Sequence, residues 1–139
     1  MTRYAYETEI DVRYRDLDSL GHVNNAVYAT YFELARLRYL RNGVDAPAAQ
    51  PNFVVAHLEL DFRRPITDIS TVSVGLGVVE VGETSFRIAY EVRSEGTVSA
   101  QGETVQVTVD EDGSPTAMPD SWRSHLETER DRSRLEFAE

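Results

Sequence analysis

The first quarter of the chain changes the spacing of its apolar residues once, from that of a strand to that of a helix. Residues Tyr4–Tyr14 alternate loosely between apolar and polar positions, which is the period of a half-buried strand. From about Ala26 to Arg41 the apolar residues recur with a helical period. Their broad face comprises Val27, Tyr28, Tyr31, Phe32, Leu34, Ala35 and Tyr39. Asn42-Gly43 then supplies a stop signal, so the pattern predicts one strand followed by one long helix.

The middle of the chain returns to the period of strands. Two short sequences, Gly82-Glu83 and Glu95-Gly96, separate neighbouring apolar segments and are typical of tight hairpin turns. The predicted strands are Phe53–Arg64, Thr71–Val81, Thr84–Arg93 and Val98–Val109. A helix followed by four strands predicts an α+β domain with an antiparallel sheet.

The other segments are predicted as a loop, a second helix and a tail. Val44–Asn52 contains two prolines and indicates a surface loop. Asp120–Glu127 is compatible with a short helix that begins at Asp120 as its cap. Thr128–Glu139 is dense in charge and is expected to fray. We therefore expect one domain over residues 1–127 and a tail over residues 128–139.

A single sheet with one helix leaves part of its surface uncovered. An exposed edge strand is a liability that proteins usually cover or pair. Two such sheets joined edge to edge would cover each other and place the loop before the helix near a subunit boundary. The pattern therefore predicts a homo-oligomer.

Composition and charge narrow the range of functions. Hydrophobic residues make up 41% and charged residues 27% of the 139 positions, as in an ordinary globular domain. The formal net charge of −10 would repel nucleic acid and anionic membranes, so neither partner is expected. The sequence has no cysteine, no apolar run of about 20 residues and no signal-peptide pattern at its start. We expect a cytoplasmic protein without disulfides or thiolate metal sites.

The loop over Arg15–Asn25 carries the densest group of reactive side chains. It contains two carboxylates, a histidine, a glycine and two asparagines: Asp16, Asp18, His22, Gly21, Asn24 and Asn25. Directly after the loop, the first amides of the predicted helix are unpaired, and the helix dipole favours negative charge there. Gly21 permits a sharp turn, and either Asn24 or Asn25 can cap the helix. This combination indicates chemistry rather than packing.

Several other enzyme classes lack their motifs in this chain. There is no G-x-S-x-G sequence of an α/β-hydrolase, and the absence of lysine rules out a P-loop lysine. The glycines at positions 75, 77 and 82 do not form G-x-G-x-x-G and fall within predicted strands. His22, His57 and His125 show neither H-x-H nor H-E-x-x-H spacing, so no metal site is expected.

The loop and the helix resemble a known family. The resemblance lies in D-L-D-S-L-G-H-V-N-N-A-V-Y-A-T-Y-F-E-L-A-R, and H-L-E-L-D-F-R-R-P-I is similar to the second strand of the same proteins. The family is that of hotdog-fold acyl-CoA thioesterases of the 4-hydroxybenzoyl-CoA thioesterase-like group. This resemblance implies a long central helix wrapped by a five-stranded antiparallel sheet. It also implies a homodimer or homotetramer that binds an acyl thioester across the subunit interface.

The resemblance places the catalytic carboxylate on Asp18, the second aspartate of D-x-D. Thioester hydrolysis needs a nucleophile or a base that activates water, together with donors for the oxyanion. Asp18 can act in either way, and the sequence does not decide between them. The structural alternative is that Asp18 only caps or closes a turn. His22 is expected to orient the carboxylate or to bind substrate, and its alternative is an ordinary loop histidine.

The candidate substrate-binding residues come from the loop, the helix and the second strand. They are Gly21, Val23, Asn24, Asn25, Tyr28, Arg63 and Arg64. Backbone amides of the loop would polarise the carbonyl group, while Tyr28 either lines the pocket or packs in the core. An acidic protein needs local arginine to hold the phosphates of CoA. Arg63 and Arg64 are adjacent in a predicted strand, so at most one is expected to reach a given phosphate.

Three charged residues have structural interpretations instead. Asp16 is expected to be solvated or paired with a neighbouring arginine. Glu33 and Arg36 lie three apart on the polar face of the helix, where they can pair with each other.

The sequence thus predicts an acyl-CoA thioesterase with no cofactor other than the CoA of its substrate. Two alternatives remain at this point. One is another hotdog enzyme acting on acyl thioesters, such as a dehydratase. The other is a non-catalytic acyl-CoA-binding or regulatory protein built on the same pocket.

Overall fold

The computed structural model describes residues 4–43 and 51–133. Its helices and strands are β1 (Tyr6–Asp11), α1 (Val27–Arg38), β2 (Phe53–Phe62), β3 (Thr71–Val81), β4 (Ser85–Ser94), β5 (Thr97–Thr108) and α2 (Asp120–Ser133). A 3₁₀ turn covers Tyr14–Asp16, and a π-helical turn covers Tyr39–Gly43. Each predicted strand and helix is therefore present. The predicted loop over Val44–Asn52 lies outside the described residues except at its last two positions.

The strands form one antiparallel sheet in the order β1-β3-β4-β5-β2. The predicted turn between β4 and β5 is confirmed, with left-handed φ values of 53° at Glu95 and 77° at Gly96. Two such residues are characteristic of a type I′ hairpin, whose twist matches that of the strands. β2 lies at one edge, where it is bonded to β5 alone. A five-stranded antiparallel sheet with a helix is consistent with the hotdog fold that the resemblance implies.

The core lies between α1 and the sheet. Tyr28, Tyr31 and Phe32 of α1 are buried, and the ring of Phe32 stacks on that of Tyr90 in β4 with centroids 4.2 Å apart. Gly102 in β5 allows this approach, because a Cβ there would lie 2.7 Å from the Phe32 ring. Truncating a buried phenylalanine typically costs about 3–5 kcal/mol, so this aromatic contact is a major part of what fixes the helix to the sheet.

The first helix is shorter than predicted, and one of its polar residues is not solvated. α1 has 12 residues and ends at Arg38, where the π-helical turn begins. Arg36 is half-buried and donates to the hydroxyl of Tyr90 at 3.1 Å. Glu33 is exposed and has no ion pair within the described residues, so the predicted pairing of Glu33 with Arg36 is wrong. No helix of the described residues is long and apolar enough to cross a membrane.

The second helix is longer than predicted. It continues through residues 128–133, which we expected to fray, and Glu129 and Ser133 within that stretch are buried. The hydroxyl of Tyr39 donates to Oε1 of Glu129 at 2.7 Å and joins the end of the first helix to α2. Ser133 lies over Gly77 of β3. Tertiary contacts therefore order this charged segment, and residues 134–139 lie outside the described part of the chain.

Candidate active site

The loop between β1 and α1 folds back on itself as a small hairpin, residues 16–24, which we call the site hairpin. The amide of Asn24 donates to the carbonyl oxygen of Asp16 at 2.8 Å. Further along, the amide of Asp18 donates to the carbonyl oxygen of His22 at 2.7 Å. The residues between these two bonds form an isolated β-bridge. The fold of the site hairpin thus brings Asp18 back towards the start of α1.

Asp18 closes the tip of the site hairpin with its own carboxylate. Its Oδ1 accepts hydrogen bonds from the amides of Leu20 at 2.9 Å and His22 at 3.1 Å. Gly21 completes the turn with a φ of 80°, a left-handed value that glycine adopts without strain. Asp18 is exposed, and its Oδ2 accepts no hydrogen bond from the described residues. One carboxylate oxygen is therefore fixed by the backbone, while the other is available to a ligand or water.

The start of α1 presents backbone donors beside this carboxylate. Oδ1 of Asn24 accepts from the amide of Ala26 at 2.8 Å, and its carbonyl oxygen accepts from the amide of Val27 at 2.9 Å. Asn24 therefore closes the turn before the helix, whereas we predicted a cap on the helix itself. The amides of Asn25 and Tyr28 donate to no acceptor within the described residues. They are two candidate oxyanion donors at the positive end of the helix dipole.

A cavity of about 370 Å³ connects the loop, the helix and the end of β2. It is lined by Asp18, Leu20, His22, Val23, Asn25, Tyr28, Phe62, Arg63, Arg64 and Pro65. The structure thus brings together most of the predicted site residues. Gly21 and Asn24 do not line the cavity, because the first shapes the turn and the second bonds to the backbone.

Aromatic side chains form one wall of the cavity. Tyr28 is buried yet lines the cavity, so the two interpretations of this residue both apply. Burial raises the pKa of Tyr28, although a hydrogen bond from the backbone of Ile66 lowers it in part. Phe62 meets Tyr28 edge to face, with ring centroids 5.2 Å apart. Sequence analysis missed Phe62 together with Leu20 and Pro65, although the position of Phe62 just before the two arginines could have indicated it.

Arg63 and Arg64 follow the last residue of β2, and both line the cavity. Their amides both donate to the carbonyl oxygen of Ser99, at 2.8 and 3.1 Å. The guanidinium of Arg63 also donates to Gln101 at 3.0 Å, whereas that of Arg64 has no partner within the described residues. β2 ends at Phe62, before the two arginines. The alternation that points neighbouring side chains of a strand to opposite faces therefore does not separate Arg63 from Arg64.

Asp16 is buried and pairs with Arg13 at 2.9 Å. The ion pair is one of the two predicted alternatives and is confirmed, whereas the solvated alternative is wrong. Burial alone would raise the pKa of the Asp16 carboxyl. Hydrogen bonds from the amide and guanidinium of Arg13 and from the hydroxyl of Tyr31 outweigh this effect, so the pKa of Asp16 is lowered overall. Asp16 is therefore an ionised structural group beside the site.

The remaining histidines lie elsewhere. His57 in β2 is exposed and pairs with Glu59 at 2.9 Å. Within residues 4–43 and 51–133, no group of three or more His, Asp or Glu side chains is placed to hold a metal ion.

Comparison with known proteins assigns this arrangement to one group. The model of the thioesterase-like superfamily matches residues 12–126 of the chain. The uncharacterized protein YsmA of Bacillus subtilis is 26% identical over 90 residues, which are 64% of this chain and 61% of that relative. The chain therefore spans about three fifths of the length of this relative.

Solved structures give a fuller match. A thioesterase from Thermus thermophilus, crystallised with coenzyme A and zinc, is 37% identical and has a TM-score of 0.82. The match covers 95% of this chain and 98% of that one. A protein from Bacillus stearothermophilus, described as a predicted thioesterase, is 28% identical with a TM-score of 0.77, over 89% and 95% of the two chains. The similarity thus extends over nearly the whole molecule.

Proposed function

Because the chain belongs to the thioesterase-like superfamily, we propose that it is an acyl-CoA thioesterase, which hydrolyses an acyl-CoA to a free acid and CoA. The observation that carries this proposal is the meeting of the Asp18 carboxylate and the first residues of α1 in one cavity. In the part of the chain that the structure describes, a carboxylate oxygen without a hydrogen-bond partner lies there together with residues whose amides are unpaired. This is the pair of groups that hydrolysis of a thioester requires.

Asp18 is the proposed catalytic residue. In one route, its Oδ2 attacks the thioester carbon, the C–S bond breaks, CoA leaves as the thiolate, and water hydrolyses the resulting anhydride. In the other route, Asp18 takes a proton from water while that water attacks the same carbon. Single turnover in ¹⁸O-water gives a positive test for the first route. Water that attacks the Asp18 carbon of the anhydride leaves an Asp18 oxygen in the product acid and ¹⁸O in Asp18, whereas attack on the acyl carbon gives the same labels as the second route.

The amides of Asn25 and Tyr28 are the proposed donors to the oxyanion. Such a donor typically contributes about 3–4 kcal/mol of transition-state stabilisation. His22 holds Asp18 through its backbone amide, at 3.1 Å from Oδ1, and is one of the residues that line the cavity. We assign the ring to binding substrate or water.

Arg63 and Arg64 are the proposed sites for the phosphates of CoA. Both arginines border the cavity of a protein whose net charge is −10. They therefore supply local positive charge where the overall negative charge of the protein would otherwise repel phosphate groups. The guanidinium of Arg64 is the stronger candidate, because that of Arg63 is already bonded to Gln101. The crystallised Thermus thermophilus thioesterase, which contains coenzyme A, supports a CoA substrate.

We further propose that the working unit is a homodimer or homotetramer joined through β2. This edge strand exposes four apolar side chains, Val55, Leu58 and Phe62 on one face and Val54 on the other, each between 42 and 51% exposed. A second copy paired along β2 would cover these side chains and complete a hotdog arrangement around α1. Since Phe62 also lines the cavity, the site would lie at the interface. Light scattering measures the assembly, and Leu58→Asp should yield monomers. A cytoplasmic location remains part of this proposal.

A panel assay tests the proposed activity. Aliphatic acyl-CoAs of increasing length and aromatic acyl-CoAs are each incubated with the protein while a thiol reagent detects free CoA. At least one should be hydrolysed with a kcat/KM of roughly 10⁴ M⁻¹s⁻¹ or more. Calorimetric binding without thiol release would indicate the non-catalytic acyl-CoA-binding alternative. Conversion of a 3-hydroxyacyl-CoA to an enoyl thioester and water, without thiol release, would indicate a dehydratase.

A further inference from the structure

The base of the site hairpin is fixed to α1 by a buried hydrogen bond that the proposed chemistry does not use. The hydroxyl of Tyr31 donates to Oδ2 of Asp16 at 2.8 Å. Only 1% of Asp16 and 2% of Tyr31 is exposed. Arg13 donates to the same carboxylate three times, from its amide at 2.9 Å and from its guanidinium at 3.1 and 2.9 Å. Four donors therefore hold this carboxylate in one position.

The backbone of Asp16 connects this anchor to both halves of the proposed site. Its carbonyl oxygen accepts from the amide of Asn24, the residue that leads into α1. Asp18 follows two residues later on the same arm of the site hairpin, and its amide is bonded to the opposite arm at His22. A shift of Asp16 would therefore move the Asp18 carboxylate relative to the start of the helix.

Tyr31 makes the connection from the side of the helix. It lies about one turn after Tyr28, whose amide is a proposed oxyanion donor. Its bond to Asp16 thus joins the helix that carries the donors to the loop that carries the reactive carboxylate. Hydrogen bonds to ionised groups are short and strong, and a misplacement of about 1 Å at a reacting centre can lower a rate roughly 100-fold.

We propose that Asp16 and Tyr31 are positioning residues, whose hydrogen bond sets the placement of the Asp18 carboxylate relative to the amides at the start of α1. Neither residue lines the cavity, so both act through other groups. This inference rests on the proposed thioesterase function, but it concerns a geometry that can also be measured without turnover.

The chain offers a matched control after the same helix. The hydroxyl of Tyr39 donates to buried Glu129 at 2.7 Å, and Glu129 is paired with Arg132 at 2.7 Å. This pair repeats the chemistry of Tyr31, Asp16 and Arg13 but belongs neither to the site hairpin nor to the cavity lining. Tyr39→Phe therefore removes an equivalent buried hydrogen bond away from the site.

Steady-state kinetics of the two variants tests the proposal. In Tyr31→Phe, kcat should fall roughly 10- to 100-fold while KM stays within about twofold. Tyr39→Phe should keep both constants, although both variants should lower Tm. Asp16→Asn removes the charge that both Arg13 and Tyr31 bind, so kcat should fall at least as far as in Tyr31→Phe. The double variant should lose less than the sum of the two single losses, because the Tyr31–Asp16 bond is shared. A Tyr31→Phe enzyme with the wild-type kcat would overturn the positioning role and leave the proposed function intact.

Amide hydrogen exchange gives a readout that needs no turnover. The amides of Leu20, His22 and Asn24 report the bonds that hold the site hairpin. Their exchange should accelerate on the order of tenfold in Tyr31→Phe and remain unchanged in Tyr39→Phe. Unchanged exchange in Tyr31→Phe would overturn the proposal. A wild-type protein that hydrolysed no acyl-CoA would instead refute the proposed function, and the exchange result would still decide the geometry.

Discussion

Asp18 and Asp110 close two turns with the same pattern of hydrogen bonds. Oδ1 of each aspartate accepts from the amides of the second and fourth following residues, at 2.9 and 3.1 Å for Asp18 and at 2.9 and 3.0 Å for Asp110. The third following residue is a glycine with left-handed φ in both turns, 80° at Gly21 and 83° at Gly113. The turn is therefore a general structural unit. What distinguishes Asp18 is the cavity and the helix start beside it.

This equivalence allows the structural and the catalytic role of Asp18 to be separated. Asp18→Asn keeps an oxygen that can accept the two amide hydrogen bonds but removes the charge needed to attack carbon or deprotonate water. We expect kcat to fall by roughly 10³-fold or more, as for other nucleophiles and bases. Asp110→Asn makes the same change in the equivalent turn and should leave kcat unchanged. The two variants should differ little in Tm.

Two outcomes would contradict the predicted catalytic role of Asp18. Hydrolysis by Asp18→Asn at near the wild-type rate would mean that Asp18 only closes its turn, as Asp110 does. A similar loss of kcat in both variants would point to a general effect on the fold.

A second prediction concerns the aromatic wall of the cavity. Phe62 and Tyr28 meet edge to face at 5.2 Å, and at the other end of β2 Phe53 meets Phe86 in the same way at 5.6 Å. Phe62→Ala should raise KM roughly fivefold, because the substrate would lose a contact with an aromatic ring, and such a contact is worth about 1 kcal/mol. The enlarged cavity should also favour bulkier acyl groups. Phe53→Ala should lower Tm without changing KM. Equal KM values for the two variants would show that Phe62 does not contact the substrate.

The elements of the fold could be predicted because their signals are local. Alternating apolar residues give the strands, and Glu95-Gly96 gives the β4–β5 turn, since both depend on a few neighbouring positions. The reactive loop could be found in the same way, because its carboxylates, glycine and asparagines are contiguous.

Three departures from prediction arise from contacts between residues that are distant in the sequence. Asp16 is buried because Tyr31 donates to it, and Arg36 is half-buried because it donates to the hydroxyl of Tyr90 in the sheet. The charged segment after residue 127 is helical because Glu129 finds Tyr39 in the interior. The neighbours of a residue in the sequence do not reveal such distant partners. For this reason the charge of these residues predicted that they would be exposed to solvent.

A third prediction concerns alkaline pH. Burial raises the pKa of Tyr31 and of Tyr39 well above the usual value of 10.0, and each neighbouring carboxylate adds to the effect. The folded protein therefore keeps these phenols protonated where the unfolded chain loses the protons. Their contribution to stability is complete below about pH 10 and decreases as the pH rises further, by up to about 1.4 kcal/mol per pH unit for each tyrosine.

Urea denaturation at several alkaline pH values measures this slope. Tyr39→Phe should reduce the dependence of the free energy of unfolding on pH, because one titrating group is lost. Tyr14→Phe is the control, since Tyr14 is 80% exposed rather than buried. Equal slopes for wild type and Tyr39→Phe would show that the Tyr39 phenol is not held in its neutral form.

The last prediction concerns the docking of α2 on the sheet. A Cβ at Gly77 would lie 2.7 Å from the Cβ of Ser133, which is fully buried, so that β3 and α2 could not keep their present separation. Gly77→Ala should therefore lower the free energy of unfolding by about 1–3 kcal/mol, the usual cost of overpacking. Ser133→Gly should restore part of this loss, although glycine in a helix itself costs up to about 1 kcal/mol. Urea denaturation of the two single variants and the double variant measures the coupling. If the two losses simply added, the two residues would not be in contact.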